Sequence, residues 1–358
     1  MLDSESSLRI NLLRFPLIIG VVFIHAYKST VGFSGGQIIG VIQPNFIVDF
    51  VRSFISNGVA RTAVPVFFMM SGYLFFAGFV WSKKSYMIKL TSRIKTLLIP
   101  FLFWNITILG IIALVQAIPA TQTFLSGDNP LIVTFGVFDY FNAIIGFTRT
   151  PIAYQFWFIR DLMILVLLAP LISIVIKFLP LLFLFLVLIF WLVGGWPLYE
   201  PSSEALLFFS LGAYLASTKK SLFFLDNFGR IITVFYLLIV TIDVITINQS
   251  FNPYLHQLGI LLGVYAVLFS TKFFAKNERI KSLILQLSSA SFFVFAIHEP
   301  LLTILRKISY KLISPESSFT VLALYFFIPT ITILFAILAY RVLTCKTPKL
   351  VSIVVGGR

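Results

Sequence analysis

Long apolar runs separated by short polar segments repeat along the whole chain of 358 residues. A transmembrane helix needs about 20 consecutive, mostly apolar residues, and ten runs approach this length. The pattern therefore predicts an all-α polytopic membrane protein with about ten transmembrane helices. We place the spans roughly at residues 8–27, 57–80, 97–118, 154–177, 180–196, 204–217, 231–247, 257–275, 286–308 and 320–342.

The segment 131–148 is also apolar and is an alternative eleventh span. An eleventh span would put the basic loops that follow it on the outer side of the membrane, against the usual charge bias of loops. We therefore interpret the segment as an interfacial or re-entrant helix in the third loop, with Asp139 on its wet face.

Composition agrees with a membrane protein. Hydrophobic residues make up 59% of the chain and charged residues 11%, whereas soluble domains are about 45–50% apolar and about 25% charged. The net charge of +14 is carried by short loops between apolar runs. We therefore expect contacts with membrane lipids and no binding of nucleic acid.

The basic residues also predict orientation, because cytoplasmic loops carry an excess of Lys and Arg. The second, sixth and eighth loops and the C-terminal end are basic, which predicts that both termini are cytoplasmic. One outer cluster is an exception. The membrane domain is predicted at 1–342, followed by a short cytoplasmic tail at 343–358. The inner groups are Lys83, Lys84, Lys89, Arg93 and Lys95; Lys219 and Lys220; Lys272, Lys276, Arg279 and Lys281; the outer cluster is Arg306, Lys307 and Lys311.

Two ionisable residues interrupt the first apolar run, at Arg14 and His25. Charged groups in hydrocarbon are costly and usually serve a function. Eleven residues turn a helix by about 1100°, so both side chains project from one face, roughly 16 Å apart along the axis. The first helix therefore carries a cation in its inner half and a titratable imidazole in its outer half.

Other polar residues fall in the outer half of the predicted bundle, where they must pair or face water. We therefore expect a polar chamber that opens outwards. Three alternatives stay open: an ion pair at the interface for Arg160 and Asp161, helix packing for Ser71-Gly72, and a satisfied core histidine at His298. The candidate chamber residues are Arg61, Ser71, Gly72, Tyr73, Trp157 and Asp161, with Arg160, His298 and Glu299 as candidate catalytic residues.

Several familiar site types are missing from the sequence. The three histidines, His25, His256 and His298, are too dispersed to indicate a metal site, and the one cysteine, Cys345, forms no intramolecular disulfide. No phosphate-binding glycine loop or zinc-protease motif occurs. The N-terminal run contains Arg14 and His25 and lacks a cleavage site, so we expect it to remain as a helix.

These residues resemble the acyltransferase 3 family of bacterial integral-membrane acyltransferases, which includes polysaccharide O-acetyltransferases. The resemblance covers nearly the whole chain, and the order of its segments is more specific than any one of them. The segments are Arg14-x10-His25, Val64-Pro65-VFFMM-Ser71-Gly72-Tyr73, Arg93 ahead of Leu-Leu-Ile-Pro100-Phe, Trp157-Phe-Ile-Arg160-Asp161-Leu and Phe295-Ala-Ile-His298.

The resemblance implies an enzyme of the bacterial inner membrane. It implies acetyl-CoA as the acyl donor, a hydroxyl of a polysaccharide or lipid-linked sugar as the acceptor, and essential roles for Arg14 and His25. No metal is expected, and neither is an appended SGNH-type hydrolase domain. One departure concerns the donor site: relatives often carry two arginines three residues apart, whereas here Arg93 is followed by Thr96, with Lys95 adjacent.

The donor is polyanionic, so we expect cations at the inner mouth to hold its phosphates. His25 is the expected general base, with His298, Glu299 or Arg160 orienting it or stabilising the oxyanion. A covalent role for Ser71 stays an alternative. The expected donor-binding residues are Arg14, Lys83, Lys84, Arg93 and Lys95.

A transporter or flippase for a lipid-linked saccharide is the rival interpretation. It would use the same chamber without chemistry. Many carriers contain inverted repeats and paired broken helices, and the sequence shows neither pattern. A transferase for succinyl or another acyl group is a second enzymatic alternative. The sequence leaves the oligomeric state open.

The loop charges generate a topology prediction. Single cysteines placed at Lys84 and Lys220, in a chain whose Cys345 is replaced by Ser, should react only with membrane-permeant reagents. A cysteine at Gln249 should also react with an impermeant reagent added outside. External labelling at position 84 or 220 would contradict the ten-span topology.

Overall fold

A computed structural model describes residues 3–78, 81–119, 121 and 130–357. The described chain is almost entirely helical, as the apolar runs predicted. The end of the predicted span 57–80, at residues 79 and 80, lies outside the described residues. The α-helices are α1 Ser4–His25, α2 Phe46–Ser53, α3 Ala63–Phe76, α4 Lys83–Arg93, α5 Ile99–Ala117, α6 Val137–Ile145, α7 Trp157–Leu167, α8 Ala169–Phe178, α9 Pro180–Val193, α10 Ser203–Ser217, α11 Gly229–Ile245, α12 Asn252–Lys276, α13 Glu278–Ser288, α14 Ser291–Ile313, α15 Ser318–Lys346 and α16 Pro348–Val354.

Two short antiparallel strands form a hairpin after α1. They are β1 Thr30–Gly32 and β2 Ile38–Gly40, and Val31 pairs with Ile39. Gly40 has a φ of +122°, and a Cβ there would collide with the carbonyl oxygen of Ser29. Only glycine therefore fits at the last residue of β2.

Several continuous helical stretches are long and apolar enough to cross a membrane. Within the described residues there are six: Ser4–His25, Phe46–Phe76, Lys83–Ala117, Asp226–Ile245, Asn252–Lys276 and Ser318–Lys346. Two further pairs of helices qualify together but bend at a break, α7 with α8 by 62° and α13 with α14 by 67°. Counting each pair as one span gives up to eight by length and composition.

The helices at the fifth and sixth predicted spans are too short to cross a membrane perpendicular to its plane. They correspond to α9, with 14 residues, and α10, with 15 residues, whereas a perpendicular span needs about 20. The count of ten spans and the cytoplasmic position of the termini therefore stay predictions. The boundary predicted at residue 342 lies inside α15, which continues to Lys346.

The apolar segment 131–148 contains one short helix. α6 has nine residues, too few to span a bilayer. The Asp139 carboxylate accepts a hydrogen bond from the Gly136 backbone N–H at 3.0 Å, and α6 ends at Gly146, whose φ is +80°. Its placement at the membrane interface stays a prediction.

The chain divides into two compact units. The first contains the residues up to Val21, Phe54–Ile94 and Phe158–Ser291, and the second contains Val22–Ser53, Lys95–Trp157 and Phe292 to the C-terminus. Each unit is therefore built from segments that lie far apart in the sequence.

A buried arginine anchors α1 in the first unit. The Arg9 guanidinium donates to both carboxylate oxygens of Asp226, at 2.6 and 3.0 Å, to the Thr271 hydroxyl at 2.7 Å and to the Leu268 carbonyl at 3.0 Å. An unpaired charge would be costly at this depth.

At the start of α1, hydrogen bonds from the backbone N–H and hydroxyl of Ser6 lower the pKa of Asp3.

Two glycines allow α3 and α10 to touch in the first unit. A Cβ at Gly72 would collide with the Phe209 carbonyl, and a Cβ at Gly212 would collide with the Met69 carbonyl. Small residues at such crossings let helix backbones approach closely. The packing alternative for Gly72 is therefore realised.

In the second unit, the C-terminal end packs on α5. The Trp104 indole N–H donates to the Val354 carbonyl at 3.0 Å, and Val351 and Val354 are buried. α14 extends past the predicted end at residue 308 to Ile313. The basic residues Arg306, Lys307 and Lys311 therefore all lie on this helix, and the predicted end of the ninth span at residue 308 is wrong.

The glycine crossing generates a stability prediction. Gly72→Ala should lower the melting temperature in detergent, because overpacking costs about 1–3 kcal/mol. Gly110→Ala in α5 is the matched control, since nothing lies within 4 Å of the added Cβ. It should leave the melting temperature unchanged or raise it, because alanine favours helix. Equal melting temperatures for the two variants, measured by fluorescence-detected gel filtration, would contradict the close crossing.

Candidate functional site

The second unit brings His25 and His298 together. His25 is the last residue of α1 and His298 lies in α14, and their ring centroids are 5.3 Å apart. The hydroxyl of Tyr154 lies 3.1 Å from His25 Nδ1. The two histidines, 273 residues apart in sequence, form a cluster with a phenol at one side.

The hydrogen bond made by His298 fixes its tautomer. His298 is fully buried, and its Nδ1 lies 2.6 Å from the Phe295 carbonyl oxygen. A carbonyl can only accept, so Nδ1 carries the hydrogen and Nε2 of the neutral ring holds a lone pair. Within the described residues Nε2 has no hydrogen-bond partner. A buried acceptor of this kind usually has a partner, so a ligand donor is expected at Nε2.

Glu299 and Arg306 lie on the same helix beside this pair. The Glu299 carboxylate is buried and accepts from the Thr303 hydroxyl at 2.7 Å, and it interacts with Tyr154. Arg306 Nη1 donates to the backbone carbonyl of His25 at 3.2 Å. α14 therefore supplies an acid, a base and a cation to the end of α1.

A proline explains how Tyr154 is held. Pro300 has no backbone N–H, so the carbonyl of Ala296, four residues earlier, loses its helical donor. The Gln155 side-chain amide fills this position and donates to the Ala296 carbonyl at 3.1 Å. On the other side, the Ala153 backbone N–H donates to the Asn105 side chain at 3.1 Å. The segment that carries Tyr154 is thus fixed to α14 and α5.

Arg160 and Asp161 belong to the first unit and are paired there. Both are buried; Arg160 forms an ion pair with Glu200 and lies 3.8 Å from Asp161. Asp161 also accepts from the Ser202 backbone N–H at 2.9 Å, at the start of α10. The pairing alternative therefore accounts for both residues, and a catalytic role for Arg160 stays a prediction.

The expected donor-binding cations lie at the start of the chain and around α4. Arg14 is half-buried, and none of the ion pairs or hydrogen bonds of the described chain includes it. Arg93 is half-buried at the end of α4, whereas Lys83, Lys84 and Lys95 are exposed. Their binding of a donor stays a prediction.

The chamber residues differ in exposure. Arg61 is exposed, Ser71 and Trp157 are half-buried, and Tyr73 is buried. Gly72 faces the α10 backbone. An outward-opening chamber formed by these residues stays a prediction.

The third histidine lies in the first unit and has its own partner. His256 Nδ1 lies 2.9 Å from Asp243, which also accepts from the Asn252 side chain at 2.9 Å. Among the described residues, no group of three His, Cys, Asp or Glu side chains could hold a metal ion.

Sequence reasoning missed two residues of the cluster, Tyr154 and Gln155, as members of the site. Both directly precede the Trp157-Phe-Ile-Arg160 segment, and Gln155 begins the polar stretch of that span. A donor residue was needed because Pro300 breaks the hydrogen-bond ladder of α14. The sequence shows Pro300, and therefore the need for a donor, but it does not show which residue supplies the donor.

The apolar helices and the histidine cluster define a helical membrane protein with a candidate acid–base site. Residues 7–341 match the acyltransferase 3 family, described as an acyltransferase domain. The chain belongs to this family. It is also 24% identical over 371 residues to the succinoglycan biosynthesis protein ExoH of Rhizobium meliloti, covering 100% of this chain and 94% of that protein. No solved structure matches the chain.

Proposed function

We propose that this protein transfers an acyl group from a coenzyme A thioester to a hydroxyl of a cell-surface polysaccharide or lipid-linked saccharide. Family membership supports acyl transfer. The polysaccharide acceptor is supported by the name of the relative, a succinoglycan biosynthesis protein. Acetyl is the family's usual acyl group, and succinyl or another acyl group is the alternative. The proposed location is the bacterial inner membrane.

The observation that carries the proposal is the His25 cluster. Acyl transfer to a hydroxyl needs a base within hydrogen-bond reach of the proton it removes. His25 is half-buried and therefore within reach of a substrate. The Tyr154 hydroxyl at Nδ1 orients the ring.

The proposed reaction has two steps. The acceptor oxygen attacks the thioester carbonyl carbon while His25 takes the hydroxyl proton. The carbon–sulfur bond then breaks, and the imidazolium returns its proton to the departing thiolate. His298 positions the reactants by accepting a hydrogen bond at Nε2. Its tautomer does not suit the alternative role of oxyanion donor.

Arg14 is the proposed anchor for the donor phosphates. It lies on α1 about three turns before His25, roughly 16 Å along the axis. Lys83, Lys84, Arg93 and Lys95 add positive charge that attracts a polyanion. A donor held at Arg14 would extend along α1 towards its C-terminal end.

A transporter of lipid-linked saccharide is the competing function, and a simple assay separates the two. Purified protein is incubated with acetyl-CoA or succinyl-CoA, each radiolabelled in its acyl group, and with polysaccharide from a strain that lacks the gene. Label in the polysaccharide supports the transferase, whereas movement of saccharide across vesicles without label transfer supports the transporter.

The histidine cluster generates a prediction about catalysis. His25→Asn should lose about 10²–10⁴-fold in transfer rate, because asparagine keeps polarity but cannot take the proton. Coenzyme A binding should remain. His298→Ala should keep partial activity, since it only positions. The measurement is label transfer at matched donor occupancy.

His256→Asn is the matched control for this experiment. It makes the same change at a histidine paired with Asp243 in the first unit and should keep wild-type activity. If His25→Asn stayed within a few-fold of wild type while His298→Asn was inactive, the two histidines would have the opposite roles.

The donor site generates a separate prediction. Arg14→Ala should weaken coenzyme A binding about 10-fold or more, because a charge-assisted hydrogen bond to phosphate is lost. Arg93→Ala should have a smaller effect. Isothermal titration with coenzyme A is the measurement, with the exposed Arg230→Ala as control. Unchanged affinity in Arg14→Ala would exclude a phosphate-binding role.

A further inference from the structure

A small cleft that is partly open to solvent lies next to the C-terminal end of α1, within the second unit. Its lining includes Lys28, Leu302, Arg306, Tyr310 and Ile328. Lys28 lies three residues after His25, and Arg306 donates to the His25 carbonyl. The cleft therefore begins where the proposed reaction takes place.

The two cations of this cleft have no ion-pair partner in the described chain. None of the ion pairs among the described residues includes Lys28 or Arg306. Arg306 Nε is buried and has no hydrogen-bond partner in the described chain. Glu299 interacts with both charges from outside ion-pair distance, and its carboxylate is bonded to Thr303. A buried guanidinium donor without an acceptor is costly.

Arg306 also has a structural role. Its Nη1 donates to the last residue of α1, and basic side chains commonly bind the free carbonyls at a helix C-terminus. This role uses one nitrogen of the guanidinium and leaves Nε unexplained. It also leaves Lys28 unexplained, because Lys28 makes none of the hydrogen bonds of the described chain.

We infer that Lys28 and Arg306 form a subsite for the distal carboxylate of a dicarboxylic acyl group, such as succinyl, carried by the donor. An arginine with free N–H groups suits a carboxylate. Leu302 and Ile328 provide apolar walls for the methylene carbons. In a four-carbon acyl group the two carboxyl carbons lie about 4 Å apart when extended, so the thioester carbon stays close to the end of α1.

The inference rests on the proposed acyl transfer and names its acyl group. An acidic sugar of the acceptor could supply a carboxylate to the same two cations. Binding to the donor's carboxylate is favoured because the cleft adjoins the base and is narrow, with buried Leu302 and Tyr310 among its walls. A bulky sugar ring fits such a cleft less well than an unbranched chain.

The test compares two coenzyme A thioesters of equal chain length. Succinyl-CoA and butyryl-CoA each carry four carbons and differ by a distal carboxylate in place of a methyl group. Wild-type protein should bind and turn over succinyl-CoA about 10- to 100-fold better, the effect of hydrogen bonds to a charged group. Lys28→Gln and Arg306→Gln should lose this preference, measured as the ratio of kcat/KM for the two donors, so that a general loss of activity in Arg306→Gln does not affect the result.

Further variants separate the subsite from a structural effect. Arg306→Lys keeps the charge and should keep part of the preference, and Lys311→Gln on the same helix should keep all of it. If Arg306→Gln fails to fold, the donor preference of Lys28→Gln alone tests the subsite. Equal use of both donors by wild type would overturn the subsite while leaving acyl transfer intact.

Two other outcomes are distinguishable. If wild type neither binds nor transfers either thioester, the proposed function itself fails. If methyl glucuronide inhibits wild type but not Lys28→Gln, and donor preference is the same in both proteins, the carboxylate belongs to the acceptor and the donor subsite is overturned.

Discussion

The hydrogen bond from Gln155 to the Ala296 carbonyl holds the candidate site together. Pro300 creates the requirement for it, because proline leaves a carbonyl of α14 without a donor. In hydrocarbon an unsatisfied carbonyl is costly, since no water can replace the missing partner. The side chain that fills the position brings its neighbour Tyr154 to His25. The missing N–H of Pro300 in α14 thereby determines where the Tyr154 side chain lies, in the segment that precedes α7.

Buried charged groups lie in both units. In the first unit, Arg160 forms an ion pair with Glu200, and Arg9 forms one with Asp226. In the second unit, Arg306 forms no ion pair among the described residues. His298 Nε2 and Arg306 Nε are buried there without hydrogen-bond partners in the described chain. A ligand at these two atoms would supply the partners that buried polar groups usually have.

The position of His25 at the end of α1 suits a mobile substrate. A histidine in the middle of the helix would be enclosed by neighbouring turns, whereas the last residue adjoins the β1–β2 hairpin and the cleft with Lys28. His298, in contrast, is fully buried within α14. One imidazole is therefore accessible and the other is fixed, which fits the division between a base and a positioning residue.

The sequence by itself determined the helical membrane class, most helix positions and the family, and it generated the prediction that Arg14 and His25 on one face of the first helix are functional. These follow from local properties: hydropathy, helical periodicity and the cost of charge in an apolar run. Helix ends were less well determined, since α9 ends three residues before the predicted end of the fifth span and α14 continues beyond the predicted end of the ninth. Only the tertiary structure decided that His25 meets His298 and Tyr154, that Arg160 pairs with Glu200, and that Arg306 reaches the end of α1. Those contacts join segments more than a hundred residues apart or depend on side-chain geometry. A single sequence does not show which distant polar groups form hydrogen bonds or ion pairs with one another.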